Sequence, residues 1–259
     1  MGNEQKSMVV KSSDEIAIMR EANQVVAETL TRVKKYVEPG ITTWELDRIA
    51  EDMCIEKNVR PAFKGYRGFP ASLCVSVNEQ VVHGIPSRKC KLKKGDIISI
   101  DFGVEHRGYF GDSALTLPVG KINSTARRLL EVTEKSLELA IEQVQVGNRI
   151  ADISGAVQRY VEDNGFSVVR QFVGHGIGSA LHEGPEIPNF VQDESSPRIV
   201  EGLVLAIEPM VNVGTHKVKV LKDGWTVITA DRKPSAHFEH SVAATSAGPV
   251  ILSSRENFE

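Results

Sequence analysis

Lys94-Gly95-Asp96-Ile97-Ile98-Ser99-Ile100-Asp101 runs from a charged residue through a glycine and an apolar strand to a terminal acid. The same order returns in Glu201-Gly202-Leu203-Val204-Leu205-Ala206-Ile207-Glu208. Upstream of each copy a glycine, Gly40 or Gly147, interrupts a helical pattern, and the interval from Gly40 to Gly147 equals that from Gly95 to Gly202. A further echo pairs Val82-His83-Gly84-Ile85 with Gly174-His175-Gly176-Ile177, at a different interval. Ordered matches of this kind indicate an internal duplication, and one too long for a solenoid.

Outward from these copies, residues 14–36 carry apolar residues at helical spacing behind a capping-box pair, Ser12 and Glu15. Pro39-Gly40 ends that helix, and Thr42 with Glu45 starts another that runs to about residue 58. A second pair is expected at 124–146 and 149–164. Strand patterns lie at 72–82, 96–104, 109–117, 168–174, 203–213, 217–222 and 225–230. The order is helix, helix, strands, twice over. It predicts an α+β fold whose pseudo-two-fold halves, about 13–119 and 120–252, surround a central antiparallel sheet with a cleft between them. Residues 13–252 then form one domain, with tails at 1–12 and 253–259.

The acids at the strand ends are out of place. With a two-residue loop at His106-Arg107, Asp101 faces Asp112; with Asp223-Gly224 as the hairpin turn, Glu208 faces Glu239. Facing carboxylates, about 4.5–5.5 Å apart at Cβ, repel. Burying them costs several kcal/mol per ion unless a positive charge is present. No Lys or Arg stands at the matching positions. Duplication brings both pairs into one cleft, where two divalent cations would neutralise them. An oxygen-rich set with an added imidazole favours Mn, Fe, Co or Zn.

Of seven histidines, His175 lies in Gly174-His175-Gly176-Ile177-Gly178, where glycines let backbone and ligand approach. His83 and His182 have similar glycine- and proline-bounded settings, whereas His106, His216, His237 and His240 read as ordinary surface or core residues. Competing motifs fail on spacing: HExxH and GxSxG are absent, and the 174–178 glycines lack Rossmann spacing. The composition limits function further. With 31 Lys+Arg against 34 Asp+Glu in 259 residues, the net charge is −3, which argues against wholesale DNA binding. Three cysteines without CxxC spacing suit a reducing compartment. No signal peptide, membrane span or lipidation start is legible, so a cytoplasmic protein without membrane contact is expected.

Val77-Asn78-Glu79, His83-Gly84-Ile85-Pro86, Ile100-Asp101, Gly111-Asp112-Ser113, Gly174-His175-Gly176-Ile177-Gly178, Ile207-Glu208-Pro209 and Phe238-Glu239-His240 resemble the motifs of type I methionine aminopeptidases from about residue 10 to residue 252. The resemblance implies the pita-bread fold and two metals held by Asp101, Asp112, His175, Glu208 and Glu239, with Asp112 and Glu239 bridging. It implies excision of the initiator methionine from nascent chains with a small second residue. In that chemistry Glu208 shuttles a proton and His83 and His182 hydrogen-bond the peptide. The methionine pocket it implies is Tyr66, Phe69, Cys74, Leu181 and Trp225. The chain departs from the family at Gly103, where Thr is common, and at Phe63, Phe69 and Leu181, where Cys, Tyr and Phe are.

The alternatives are an X-Pro aminopeptidase or prolidase, which usually carries a large N-terminal domain, and a non-catalytic pita-bread binding module, which would have a broken ligand set. The short span from His182 to Glu208 leaves no room for the helical insertion of type II relatives, and the zinc-binding extension of eukaryotic cytosolic type I relatives is not seen. The basic run Arg88 to Lys94 reads as a solvated loop suited to transient ribosome docking, and a monomer is expected.

Overall fold

The computed structural model of the chain describes residues 8–192 and 195–258. Its helices are α1 (Ser13–Lys34), α2 (Thr43–Lys57), α3 (Ser124–Glu142) and α4 (Ile150–Asp163). Both predicted capping boxes form. Glu15 Oε2 accepts from Ser12 N at 2.7 Å and Glu45 Oε2 from Thr42 N at 2.8 Å, while each cap hydroxyl accepts the amide three residues on.

The strands are β1 (Arg60–Pro61), β2 (Leu73–Val77), β3 (Ile97–His106), β4 (Tyr109–Pro118), β5 (Ser167–Val168), β6 (Gly174–Gly176) and β7 (Glu183–Ile187). They continue as β8 (Val204–Ile207), β9 (Met210–Asn212), β10 (Val218–Val220), β11 (Val227–Thr229), β12 (Ser235–His237), β13 (Glu239–Thr245) and β14 (Gly248–Ile251). Among the described residues a nine-stranded antiparallel sheet runs β1-β3-β4-β13-β8-β6-β7, with β2 added to β3 and β14 to β13. The expected strand 168–174 is two short pieces, and 203–213 breaks at Glu208-Pro209 into β8 and β9.

The duplication is visible bond by bond. Gly40 N donates to Leu92 O at 2.8 Å, and Gly147 N donates to Ile199 O at 2.9 Å. Leu92 N and Ile199 N return to Ile41 O and Asn148 O, and Thr43 N and Ile150 N reach Cys90 O and Pro197 O. Gly40 and Gly147 have φ of 104° and 100°, and Gly95 and Gly202 have 99° and 86°. These are left-handed turns that L side chains resist, which is why glycine recurs there. The echo between His83 and His175 is not part of this symmetry. His175 lies in β6 opposite Ala206, whereas His83 sits in a loop with φ of 59°.

Side chains alternate across the strands, and the sheet separates two apolar clusters. Ile98, Ile100, Phe102, Leu115, Leu205, Ile207 and Val242 join Leu30, Leu46, Leu129 and Ile153 of the four helices in the main core. The intervening positions Cys74, Val204, Ala206 and Ala243 face the other way, toward Phe69, Ile177 and Leu181. This second face carries the chemistry. The expected tails are in part packed: Lys11 is buried against Glu183, and buried Ser253 accepts from Ser241 N at 3.1 Å. Residues 1–7 and 259 of those tails lie outside the described residues. No helix among the described residues is long and apolar enough to cross a membrane.

Candidate metal centre

Three strands set the first row of the site: Asp101 on β3 pairs with Ala114 on β4, which pairs with Glu239 on β13. Two residues along, β4 presents Asp112, and β6 presents His175 opposite Ala206. The two-residue period puts Glu208, just past β8, on the same face as Ala206. Ala114 and Ala206, fully buried and small, leave room between the functional groups.

The registers explain these positions and correct one expectation. The β3–β4 loop is Arg107-Gly108, not His106-Arg107, and both of its residues have positive φ, 52° and 84°. That is the requirement of a tight two-residue hairpin turn. Asp101 therefore faces Ala114, Asp112 faces Gly103, and the two acids are diagonal neighbours on one face within hydrogen-bond reach. The second register is as expected. The pairs Val218–Thr229, Met210–His237 and Ile207–His240 are all symmetric about the Asp223–Gly224 boundary, although they lie in three sheets. Continuing that symmetry makes Glu208 and Glu239 opposite, at the point where Pro209 withholds an N–H and the ladder breaks.

Asp112, His175 and Glu239 each offer a ligand atom within 4.8 Å of the others. Glu208 lies between two imidazoles: His175 Nε2 is 3.6 Å from its Oε1 and His237 Nε2 is 3.7 Å from its Oε2. Asp101 Oδ1, Asp112 Oδ1, Glu239 Oε1 and His237 Nε2 are buried without a hydrogen-bond partner among the described residues. Burial pushes Asp101 up to about 7. Burial, then the charges of the other acids, drives Asp112, Glu208 and Glu239 well above the usual carboxylate range. Orphaned acceptors and mutually repelling carboxylates need a positive partner. Four carboxylates with an imidazole are a donor set that suits divalent cations, so the residues present fit the group.

His83 and His182 border this cluster. Gly84 is pressed so closely on the Val75 carbonyl that a Cβ would clash, which fixes His83 in its left-handed conformation. The His83 ring meets Phe172 and Trp225 edge-on at 5.6 and 6.2 Å, and burial holds it neutral, its pKa lowered to about 4. His182 shares a 2.9 Å hydrogen bond between Nδ1 and the Tyr66 hydroxyl, stacks on the Tyr66 ring, and lies 4.3 Å from the His175 ring.

The five expected pocket residues meet in the second apolar cluster. Phe69, Cys74 and Leu181 are buried, with Tyr66 and Trp225 packed against them. Phe69 and Trp225 touch edge-to-face at 5.1 Å, and Cys74 pairs directly with Asp101 across β2–β3, which joins this apolar cluster to the acids. Trp225 is aimed by Asp223, whose Oδ1 accepts from Trp225 N and Thr226 N, both at 2.9 Å. The family departures at Phe63 and Gly103 are coupled, because a Cβ on Gly103 would stand 2.9 Å from Phe63 Cε1.

His237, read as an ordinary surface or core residue, is a buried one: it is 2% exposed and faces Glu208, and burial lowers its pKa to about 3. The register about Asp223-Gly224 already implied this position, two residues from Glu239. His240 is a packed histidine as expected, its Nδ1 2.8 Å from Ser253 Oγ, and His106 pairs with Glu21.

A family model described as metallopeptidase family M24 matches residues 17–246. The chain is 54% identical over 245 residues to a methionine aminopeptidase of Clostridium perfringens, covering 95% of this chain and 98% of that protein. It is 52% identical to methionine aminopeptidase 1 of Bacillus subtilis over the same shares. The solved methionine aminopeptidase of Thermotoga maritima superposes with a TM-score of 0.94 at 42% identity, covering 95% of this chain and 99% of that one. Prolidase from Pyrococcus furiosus, at 21% identity and a TM-score of 0.79, shares the fold; the match covers 96% of this chain and 66% of that one.

Proposed function

The chain belongs to metallopeptidase family M24, and on that premise we infer that it is an aminopeptidase that hydrolyses methionine from peptide N-termini. The observation that carries this reading is the row of buried, unpartnered carboxylate oxygens beside His175, on the sheet face that also holds the apolar pocket. Asp101, Asp112, His175, Glu208 and Glu239 would hold two divalent ions, drawn from Mn, Fe, Co or Zn. When bound, such ions supply Lewis-acid polarisation of the scissile carbonyl and activation of water.

The chain's own groups do the remaining work. Glu208 takes the proton that the attacking water releases and returns it to the leaving amine. With Tyr66 donating its hydroxyl proton to His182 Nδ1, the ring proton of His182 rests on Nε2, the nitrogen that would donate to the oxyanion as it develops. Neutral His83 donates one ring N–H to the peptide. The methionine thioether fits a pocket of Tyr66, Phe69, Cys74, Leu181 and Trp225, since sulfur packs well against aromatic edges. The preference we infer is for a small second residue, as the resemblance implies.

The test strips the protein of metal, restores Mn²⁺ or Co²⁺, and assays Met-Ala-Ser beside Met-Leu-Ser, Leu-Ala-Ser and a non-Met X-Pro peptide. Metal-dependent release of methionine from Met-Ala-Ser alone is the expected result, and cleavage mainly of the X-Pro peptide would assign the prolidase activity instead. The substrate is made at the ribosome, so we place the enzyme in the cytoplasm as a monomer that docks there through Arg88 to Lys94. In that run Arg88, Lys89, Lys91, Lys93 and Lys94 are exposed, with the Arg88 guanidinium 3.4 Å from the Trp44 ring centroid. Charge reversal of the run should weaken salt-sensitive ribosome co-sedimentation. Sedimentation as a dimer would contradict the monomer.

A further inference from the structure

His237 ends β12, two residues before Glu239, and one hydroxyl holds both its backbone N–H and its carbonyl. His237 N donates to Thr116 Oγ1 at 2.9 Å, and Thr116 Oγ1 lies 2.8 Å from the His237 carbonyl. Ser99 Oγ supports the same hydroxyl at 2.9 Å. The imidazole so fixed is almost fully buried, with Nε2 making no hydrogen bond among the described residues and lying 3.7 Å from Glu208 Oε2. A polar nitrogen left unsatisfied in the interior is costly, so a buried ring aimed at an acceptor calls for a function. The separation exceeds a hydrogen bond by roughly half an ångström, within reach of a small side-chain rotation.

Resting on the aminopeptidase reading above, we propose that His237 is a positioning residue for Glu208: its Nε2–H donates to Glu208 Oε2 and fixes how the carboxylate meets the metal site. Glu208 is then flanked by two imidazoles with different duties. His175, on Oε1, belongs to the cation-holding set, and His237, on Oε2, orients the carboxylate from outside that set. An N–H donor is the chemistry this place requires. It satisfies one oxygen and leaves Glu208 its negative charge and a second oxygen for the cation and the shuttled proton.

The experiment compares the full-length protein with His237→Leu, which removes the donor, and His237→Gln, which offers an amide N–H at similar reach. Thermal unfolding first establishes that each variant is folded. Calorimetric Co²⁺ titration of the metal-free proteins, the visible spectrum of the Co²⁺ forms, and kcat and KM on Met-Ala-Ser are then measured. His237→Leu should lose roughly 10–100-fold in metal affinity or kcat, with KM little changed, and His237→Gln should recover most of the loss. The Co²⁺ spectrum of His237→Gln should match that of the unaltered protein. Unchanged affinity and kcat in His237→Leu would overturn the proposal, as would a folded His237→Gln as impaired as His237→Leu. A spectrum that loses a nitrogen ligand on substitution would make His237 a ligand and overturn the positioning role. Failure of the unaltered protein to bind metal or release methionine would instead strike at the aminopeptidase reading itself.

Discussion

Replacing Lys11 with Met tests how the site loop is held from a distance. Lys11 Nζ is 2.6 Å from Glu183 Oε2, the two side chains are 2% and 6% exposed, and Nζ also donates to Val9 O at 2.8 Å. Glu183 directly follows His182, and Gly178 leaves room for it, since a Cβ there would stand 2.6 Å from Glu183 Oε1. Removing one partner of a buried pair strands the other's charge, at about 3–5 kcal/mol. Ala180 N, which donates to Glu183 Oε1 at 3.0 Å, would remain and soften the loss, so about 3 kcal/mol is expected. For a domain of this size that lowers the melting temperature by about 6–12 °C. The assay is denaturant unfolding of the unaltered chain, Lys11→Met, Glu183→Leu and the double variant, with amide exchange at Lys11, whose N–H donates to Gly202 O at 2.8 Å. Lys11→Met should also reduce kcat through the loosened His182, and the double variant should be more stable than Lys11→Met. A Lys11→Met protein within 1 kcal/mol of the unaltered chain, with amide exchange at position 11 unchanged, would show that the pair does not hold the loop.

Gly103→Thr should destabilise by about 1–3 kcal/mol, because its Cβ would meet Phe63, Ala62 and the Gly111 carbonyl at 2.9–3.2 Å. Adding Phe63→Cys should return part of that loss, and strictly additive melting data for the pair would count against the coupling. Asp223→Ala frees Trp225 from its turn and should raise KM for methionyl peptides more than it lowers kcat; steady-state kinetics decide, and an unchanged KM would remove Asp223's role. Burial lowers the His83 pKa to about 4, below the unfolded value of about 6.5, so the unfolded chain binds more protons between those pH values. Stability from this group is present above about pH 6.5 and falls as the pH drops toward 4, by about 2 kcal/mol at pH 5. His83→Asn, which tolerates positive φ, should flatten that slope in metal-free protein unfolded at pH 7 and pH 5, and equal slopes would contradict it.

The helices and the clustering of the acids were legible because local chemistry specifies them. Ser12–Glu15 and Thr42–Glu45 announce their helix starts, and acids ending apolar strands are conspicuous wherever they occur. The Asp223-Gly224 turn carried its register across three sheets because each break fell symmetrically on both arms. What stayed hidden depends on tertiary context. Glu183-Gly184-Pro185-Glu186-Ile187 has weak strand propensity and is a strand because β6 pairs with it. Alanine-rich β13 becomes one through partners in β4, β8 and β14. The β3–β4 loop was placed one residue early because nothing in Arg107 signals a left-handed backbone. His237 was passed over as a lone histidine, although its place in the register set it beside Glu208.

The seam between the duplicated halves runs along β4 and β13, where Glu239 pairs with Ala114 and His240 with Ser113. Asp101 and Asp112 come from one side of that seam, and His175, Glu208 and Glu239 from the other. An ion held by these residues would be gripped by both halves and would work as a clasp as well as a reagent. Its affinity would then be set by how well the two halves meet along that seam. Strain anywhere along β4 or β13 would be felt as weakened metal binding before it showed as a lost fold. Substitutions at the seam's small residues Ala114 and Ser113, which stand among the acids without bearing charge, would detune the enzyme by letting the clasp slip.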